Sequence, residues 1–275
     1  MTTVSLATKH AKEKVIAPVF ESVLGWSVRA LELDTDYFGT FAGEVERRGT
    51  PKETVIAKAK AAAEQDPDGK GLASEGTIGP HPQIPFITSD IELIALVDLV
   101  NGVELVVSHV STEIVAVEKI WSAKLNLDEL AESARLPSHR LIAKAQTPNG
   151  LWVKKGLGSK DELLSAIHEF ENLGLRTNLI FQSDFRAMYS PSRMQNIEQC
   201  AEKLAERISS SCPGCGFMGF GPVGHETGVP CRDCGELVAD FIRADILGCL
   251  RCEYRQVVER GVDWVDPSRC YTCNP

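Results

Sequence analysis

The alternation of apolar and polar positions divides the chain into short elements. Residues 3–7, TVSLA, are an apolar run of strand length, and the polar stretch from Thr8 to Lys14 opens a helix whose apolar positions Val15, Ile16, Val19, Phe20 and Leu24 recur at helical spacing. Residues 26–33 predict a second strand, followed at 34–43 by a loop with two glycines and two acids. Residues 51–64 read as a helix, with Thr50 as N-cap, Pro51 at the first helical position and Glu53 in the first turn, where an acid suits the helix dipole. Asp66-Pro-Asp-Gly69 is a turn, and residues 71–79 predict a short buried strand that ends in a Gly-rich turn carrying Glu75.

Residues 91–99 and 103–110 flank Asn101-Gly102, which predicts an antiparallel hairpin. A short acidic helix over 124–135 leads through 136–144 from loop into strand, and a turn at Asn149-Gly150 opens a further strand over 151–155. Ser159 caps a helix to residue 172, which leads to a strand at 177–182, a polar loop at 183–193 and a helix at 191–209. Strands alternating with helices, with one hairpin, predict an α/β fold with a mixed twisted sheet flanked by helices over residues 1–210. A small zinc-ribbon-type module is expected over residues 211–275.

That last expectation comes from the cysteines. Eight of the nine lie beyond residue 211, as Cys212-x-x-Cys215, Cys231-x-x-Cys234, Cys249-x-x-Cys252 and Cys270-x-x-Cys273. This spacing is a metal grip, and eight thiolates make two closed four-cysteine sites of the structural zinc type. The spacing admits sequential ribbons, a cross-brace and a nested pairing alike. With few large apolar side chains in the module, metal is expected to supply much of its stability. Cys200 reads as a small packed residue, and His225 as a loop residue spare to the eight thiolates.

A net charge of −9 argues against general nucleic-acid affinity, since phosphate neutralisation needs clustered Lys and Arg. Arginines of the Cys-rich module stand among Glu and Asp, so a protein contact is expected of it at least as readily as nucleic acid. Oligomerisation is compatible with the sequence. No apolar run reaches the ~18 residues of a membrane span, and the first residues have no apolar signal core, so a soluble, cytoplasmic protein is expected.

Candidate chemistry gathers in the first half of the chain. A strand leading into the N-terminus of a basic helix is a natural phosphate site, because free N–H groups and the dipole favour an anion. Glu53, Lys58 and Glu75 follow, the last near a strand end, where open α/β sheets place ligands. His81, between two prolines, could touch a ligand or stiffen its loop. Asp184, Arg186, Ser190, Ser192 and Arg193 read as helix capping plus an internal Asp–Arg pair, or with Arg186 and Arg193 on a phosphate or carboxylate.

Three of these segments, in order, resemble the nucleoside triphosphate pyrophosphatases that hydrolyse inosine and xanthosine triphosphates. Thr8-Lys9-His10-Ala11-Lys12 is similar to that family's Thr-x-Asn strand end, Glu53-Thr-Val-Ile-Ala-Lys58-Ala59 to its Glu-Asn-Ala-x-x-Lys-Ala helix, and Ala73-Ser74-Glu75-Gly76-Thr77-Ile78 to its Asp-Asp-Ser-Gly-Leu segment. His10 stands where the family has Asn, Ser74 where it has its first Asp, and Glu13 where its Lys falls. Ser138-His139-Arg140 is similar to the Ser-His-Arg that the family uses near the nucleobase. The resemblance covers about residues 3–110 and implies hydrolysis of a nucleotide-like phosphoanhydride. It assigns Glu53 and Glu75 to Mg²⁺ or Mn²⁺ and the attacking water, Lys12 and Lys58 to phosphate, and Thr8 and His10 to the substrate-binding strand end. A pocket without turnover, for nucleotide sensing, is the alternative that the replaced Asp permits. As a whole the chain is also similar to a bacterial family of unknown function that joins such a domain to a Cys-rich tail.

Overall fold

The computed structural model describes residues 2–33, 49–174 and 177–275. The loop expected at 34–43 lies outside the described residues. Two compact units divide the chain, Met1–Leu204 and Ala205–Pro275.

In the first unit β1 (Thr3–Ala7), α1 (Glu13–Leu24) and β2 (Ser27–Leu31) form a parallel strand–helix–strand unit. α2 (Pro51–Ala63) then leads to β3 (Lys70–Pro80), which pairs parallel to β1 on its other side. β4 (Thr88–Asp98) and β5 (Val103–Ser111) add antiparallel strands, giving a five-stranded mixed sheet of order β2-β1-β3-β4-β5. Asp98 accepts from the Asn101 backbone N–H and side-chain amide, and Gly102 takes a φ of +65°, so the Asn-Gly turn closes this hairpin as expected.

α2 begins where its sequence says it should. The Thr50 hydroxyl accepts from the Glu53 N–H while Glu53 Oε2 accepts from the Thr50 N–H at 2.8 Å, a capping box with Pro51 in the first turn. Its alanines serve close approach: a Cβ at Gly71 of β3 would lie 2.0 Å from the Ala59 carbonyl oxygen and 2.4 Å from the Ala63 nitrogen. Ala59, Ala62 and Ala63 pack there with Val55, Ala73, Ala95 and Val97.

Two expectations need correction. α1 starts at Glu13 and not at Thr8, because Ala11 takes a left-handed φ of +60° that breaks the helical path. The Gly-rich segment after Glu75 is not a turn: β3 runs on to Pro80 against all of β4. Gly76 is there for room, since a Cβ would lie 2.4 Å from Glu92 Oε1 and 2.5 Å from Arg193 Nη2.

The remaining strands form a second sheet that the sequence did not separate from the first. β6 (Glu118–Ile120), β7 (Leu141–Thr147), β8 (Gly150–Leu157) and β9 (Ile180–Ser183) are antiparallel throughout, in the order β6-β9-β7-β8. α3 (Leu127–Ser133) and α4 (Lys160–Asn172) supply Leu127, Leu130, Leu163, Ala166, Ile167 and Phe170 to its core. α5 (Pro191–Ser209) carries side chains back to the first sheet. Among them, the Cys200 thiol lies 3.4 Å from the Glu92 carbonyl, and burial pushes its pKa up to about 12, so it is a packed, unreactive residue.

The second unit contains a three-stranded antiparallel sheet, β10 (Gly221–Pro230), β11 (Leu237–Gly248) and β12 (Arg255–Glu259), with β11 in the middle. No described helix of the chain is long and apolar enough to cross a membrane.

Candidate functional site

The order β2-β1-β3 makes the carboxyl end of β1 the point where chain connections diverge, with α1 leading to one side and β3 pairing on the other. In open α/β sheets such a point forms a crevice. β1 pairs with β3 only as far as Ala7 with Ala73, so Thr8 and the residues after it stand beside Ser74 and Glu75. On the β2 side of this strand end lies an open cleft of about 550 Å³, lined by Thr8, Lys9, Ala11, Glu13, Ala30, Glu32 and Leu33. Thr8 is 6% exposed, and its hydroxyl has no hydrogen-bond partner among the described residues. The N-cap position of α1, Lys12, makes no side-chain cap, and the Lys14 and Val15 N–H groups turn instead to the Ala11 and Lys12 carbonyls.

Lys12 turns inward. Its ammonium donates to Ser74 Oγ at 2.9 Å and to the Ser74 carbonyl at 3.3 Å. Burial lowers its pKa to about 8, with the Arg193 guanidinium acting in the same sense and Glu92 and Glu75 opposing. Lys58, from α2, meets Glu75 Oε2 at 2.6 Å with both residues buried. Because side chains alternate along a strand, Gly76 and its partner Glu92 face the opposite side of the sheet from Glu75. On that side Arg193, 0% exposed, donates from Nε to Glu92 Oε1 and from Nη1 to the Phe185 carbonyl. Asp90 lies two residues before Glu92, accepts from Asn196 Nδ2 at 2.9 Å, and is pushed up to about 7 by burial and by Glu92.

Lys12, held by Ser74, thus feels charge from two ion pairs on opposite faces of the sheet, Lys58–Glu75 on one and Arg193–Glu92 on the other. Sequence reasoning missed Ser74 as a Lys12 partner, and it missed Asp90 and Glu92. A signal for the acids existed: two carboxylates at i and i+2 in the otherwise apolar run DIELIALV must share one face of a buried strand. His10 is half-buried near the start of this loop.

Other candidates have local duties. Glu53 is exposed and committed to Thr50, whose backbone N–H and hydroxyl hold its carboxylate below the usual range. Nδ1 of His81 accepts from the Gln83 and Ile84 N–H groups and shapes the loop between β3 and β4. Ser138 donates to the Arg135 carbonyl, and buried His139 meets the Ser192 hydroxyl at 3.0 Å, its pKa lowered by burial and then by Arg135. Arg140 donates to the Gly156 carbonyl and lies over the Tyr189 ring. Arg186 forms a two-point pair with Asp184, the internal Asp–Arg reading of that segment.

In the second unit the eight cysteines form two groups, Cys212, Cys215, Cys249 and Cys252, and Cys231, Cys234, Cys270 and Cys273. Within each group the sulfurs lie within 4.8 Å of one another, with closest pairs at 3.6 and 3.8 Å. A disulfide would need about 2.05 Å. Tetrahedral zinc with Zn–S near 2.3 Å sets its sulfurs about 3.8 Å apart, so both groups could hold a metal ion and are consistent with structural zinc.

The pairing that spacing left open is interleaved, first pair with third and second with fourth, and the hairpin dictates it. Gly221 pairs with Gly248 and Pro230 with Leu237, so the knuckle before β10 meets the knuckle after β11, while the one between the strands lies at the far end. β12 then returns the chain toward that far end, where Val265 bridges Cys231. Gly216 and Gly235, each after the second Cys of its pair, take φ of +71° and +74°, and the Gly214 N–H points to Cys212 Sγ. Each group has its own small apolar cluster, Phe217, Phe220 and Leu247 at one and Val229, Val238, Phe241 and Val265 at the other. His225 stands on β10 outside both groups.

The profile of a family described as a domain of unknown function (DUF6671) matches residues 58–275. No curated protein and no solved structure matches the chain.

Proposed function

We propose that this chain, which belongs to the DUF6671 family, binds the phosphate groups of a nucleotide-like ligand at the carboxyl end of β1 and hydrolyses a phosphoanhydride there. One observation supports the reading: Thr8, with a buried hydroxyl that has no partner among the described residues, lines a cleft at the carboxyl end of β1, and the next residues of β3, Ser74 and Glu75, hold the ammonium groups of Lys12 and Lys58. Lys12 offsets charge on the phosphate oxygens, the Thr8 hydroxyl donates to them, and Glu75, with Oε2 held by Lys58, turns its other oxygen to the attacking water. The water oxygen bonds to phosphorus as the bridging P–O bond breaks, releasing two phosphate products. At neutral pH Lys12 keeps its proton, since its pKa near 8 lies above it.

Mg²⁺ or Mn²⁺ would need an oxygen-rich ligand set. Glu53 is committed to Thr50 and Glu75 to Lys58, so that pair of carboxylates does not fit such an ion, and no step here runs through one. The same commitment of Glu53 favours a second reading, nucleotide binding without turnover.

The two four-cysteine groups we read as structural zinc sites, from their all-sulfur closed sets. Free thiols at this spacing support a reducing compartment, the cytoplasm. Residues 205–275 carry seven arginines, no lysine and ten acids, a net charge of 7 − 10 = −3, which favours a protein contact over nucleic acid for this unit.

The test uses the metal-loaded protein against a nucleoside triphosphate panel, with and without Mg²⁺ or Mn²⁺, following binding together with pyrophosphate and orthophosphate. Turnover is expected, lost in Glu75→Gln with binding retained, and both lost in Lys12→Met. Binding without product in the native chain selects the second reading. Neither binding nor product in the native chain would overturn both.

A further inference from the structure

The two edges of the three-stranded sheet in the second unit differ in a way that the metal sites do not explain. On β10 the register slips three times, between Pro222 and Gly224, between Glu226 and Thr227 and between Thr227 and Val229, and the strand carries Pro222 and Pro230. Bulges and prolines of this kind stop an edge from pairing further. β12 has neither. Its five residues, Arg-Gln-Val-Val-Glu, pair with β11 without a slip, and all five are exposed. Val257 and Val258 are 48% and 41% exposed although they point to opposite faces, so neither face covers the strand.

The ladder identifies which backbone groups look outward. The Arg260 N–H donates to the Arg243 carbonyl, and the Cys249 N–H to the Tyr254 carbonyl. Antiparallel bonding alternates residue by residue, so Tyr254, Gln256, Val258 and Arg260 bond toward β11, and Arg255, Val257 and Glu259 turn their N–H and C=O groups away from it. Those three residues are symmetric in chemistry about Val257, with a cation two positions before it and an anion two positions after.

We propose that β12 pairs antiparallel with β12 of a second copy of this chain, about a two-fold axis at Val257. Arg255 of each chain then faces Glu259 of the other on the same face as the paired valines, so the three outward-bonding pairs are apolar or of opposite charge, while Gln256 faces Val258 on the other face. A slip of one residue would set Arg255 against Arg260 and bring the inward-bonding residues to the seam, so this register alone satisfies both the backbone and the charges. Arg255 also donates from Nη1 to the Cys249 and Cys252 carbonyls, which ties the pairing strand to one metal knuckle. An isologous contact of this kind closes at two chains and leaves no strand to propagate.

The test is the mass in solution of the full metal-loaded chain, by light scattering over a concentration series, with metal content measured alongside. A dimer is expected for the native chain. Val257→Pro removes an outward N–H without touching the bonds to β11, and Glu259→Lys sets like charges against Arg255. Each is expected to weaken the dimer at least about tenfold while metal content stays at the native value. Should Val257→Pro lose metal, Glu259→Lys decides alone. A native chain that stays monomeric throughout, or a dimer that survives the variants with metal intact, would overturn the proposal; the first result would leave the edge to another extended chain.

Discussion

The two units place charge in opposite ways. In the first, Lys58 and Glu75 are buried on one face of the five-stranded sheet and Asp90, Glu92 and Arg193 on the other, each against a partner brought from another element of the chain. In the second, the ion pairs Arg260–Asp245 and Arg243–Glu226 lie at the surface, while the interior is made by thiols with a few apolar neighbours. A large apolar core can hold buried charges because it supplies the stability that their desolvation removes. A unit of seventy-odd residues with small apolar clusters cannot, and its interior depends on what the sulfurs bind.

Removing metal should separate the units most sharply. A strong chelator is expected to abolish hydrogen-exchange protection in β10, β11 and β12, since metal binding of this kind is worth about 10 kcal/mol or more. Protection of β1, β3 and β4 should persist, and loss of both together would break the comparison. Next in size is Arg193→Met, which leaves Glu92 buried without its partner and should cost about 3–5 kcal/mol in chemical denaturation. Arg260→Met in the second unit should cost under about 1 kcal/mol, because that pair is exposed and screened by solvent. Equal losses would mean that burial does not decide the matter.

Asp90 gives a pH test of the same buried cluster. Its carboxyl is raised from 3.8 to about 7, so the folded chain binds more protons than the unfolded one between those values, and its contribution to stability falls as pH rises through that window. Asp90→Asn should remove this slope and leave the variant about 1–3 kcal/mol more stable relative to the parent at pH 8 than at pH 4. An unchanged slope would place the titration elsewhere. The smallest effect is expected from Thr50→Ala, about 1 kcal/mol from loss of the α2 cap, with ligand binding unaffected. A loss of binding there would instead put Glu53 in the ligand site.

Local chemistry was legible wherever a few neighbouring residues decide the outcome. Thr50 with Glu53, Ser159 with Glu162 and Asn101-Gly102 each fix their turn or cap alone, and the sequence reading named Thr50, Ser159 and Asn101. What depends on register across the chain was not. Whether Cys212 shares its site with Cys231 or with Cys249 follows from the antiparallel ladder of β10 and β11, and no spacing between cysteines carries that information. Gly76 looked like a turn residue because glycine signals turns, yet its missing Cβ makes space for Arg193, over a hundred residues later. For the same reason Lys12 could be nominated while its Ser74 partner could not, and Asp90 and Glu92 could be placed on a buried strand face but not against Asn196 and Arg193. Separation of β6 to β9 into their own sheet likewise depends on pairings such as Ile142 with Gln182.

Interleaved cysteine groups also impose an order of completion on the chain as it is made. The first set of four thiols exists once residue 252 has been added, but by then the chain also carries Cys231 and Cys234, which must wait for Cys270 and Cys273. During that interval the newborn chain holds one finished group and one half-group, a pair of thiols open to oxidation or to a wrong partner. Shortening the chain at any point between residues 253 and 269 would make that interval permanent. The last knuckle, residues 270–273, thus closes the second group, which lies at the far end of the hairpin from the first.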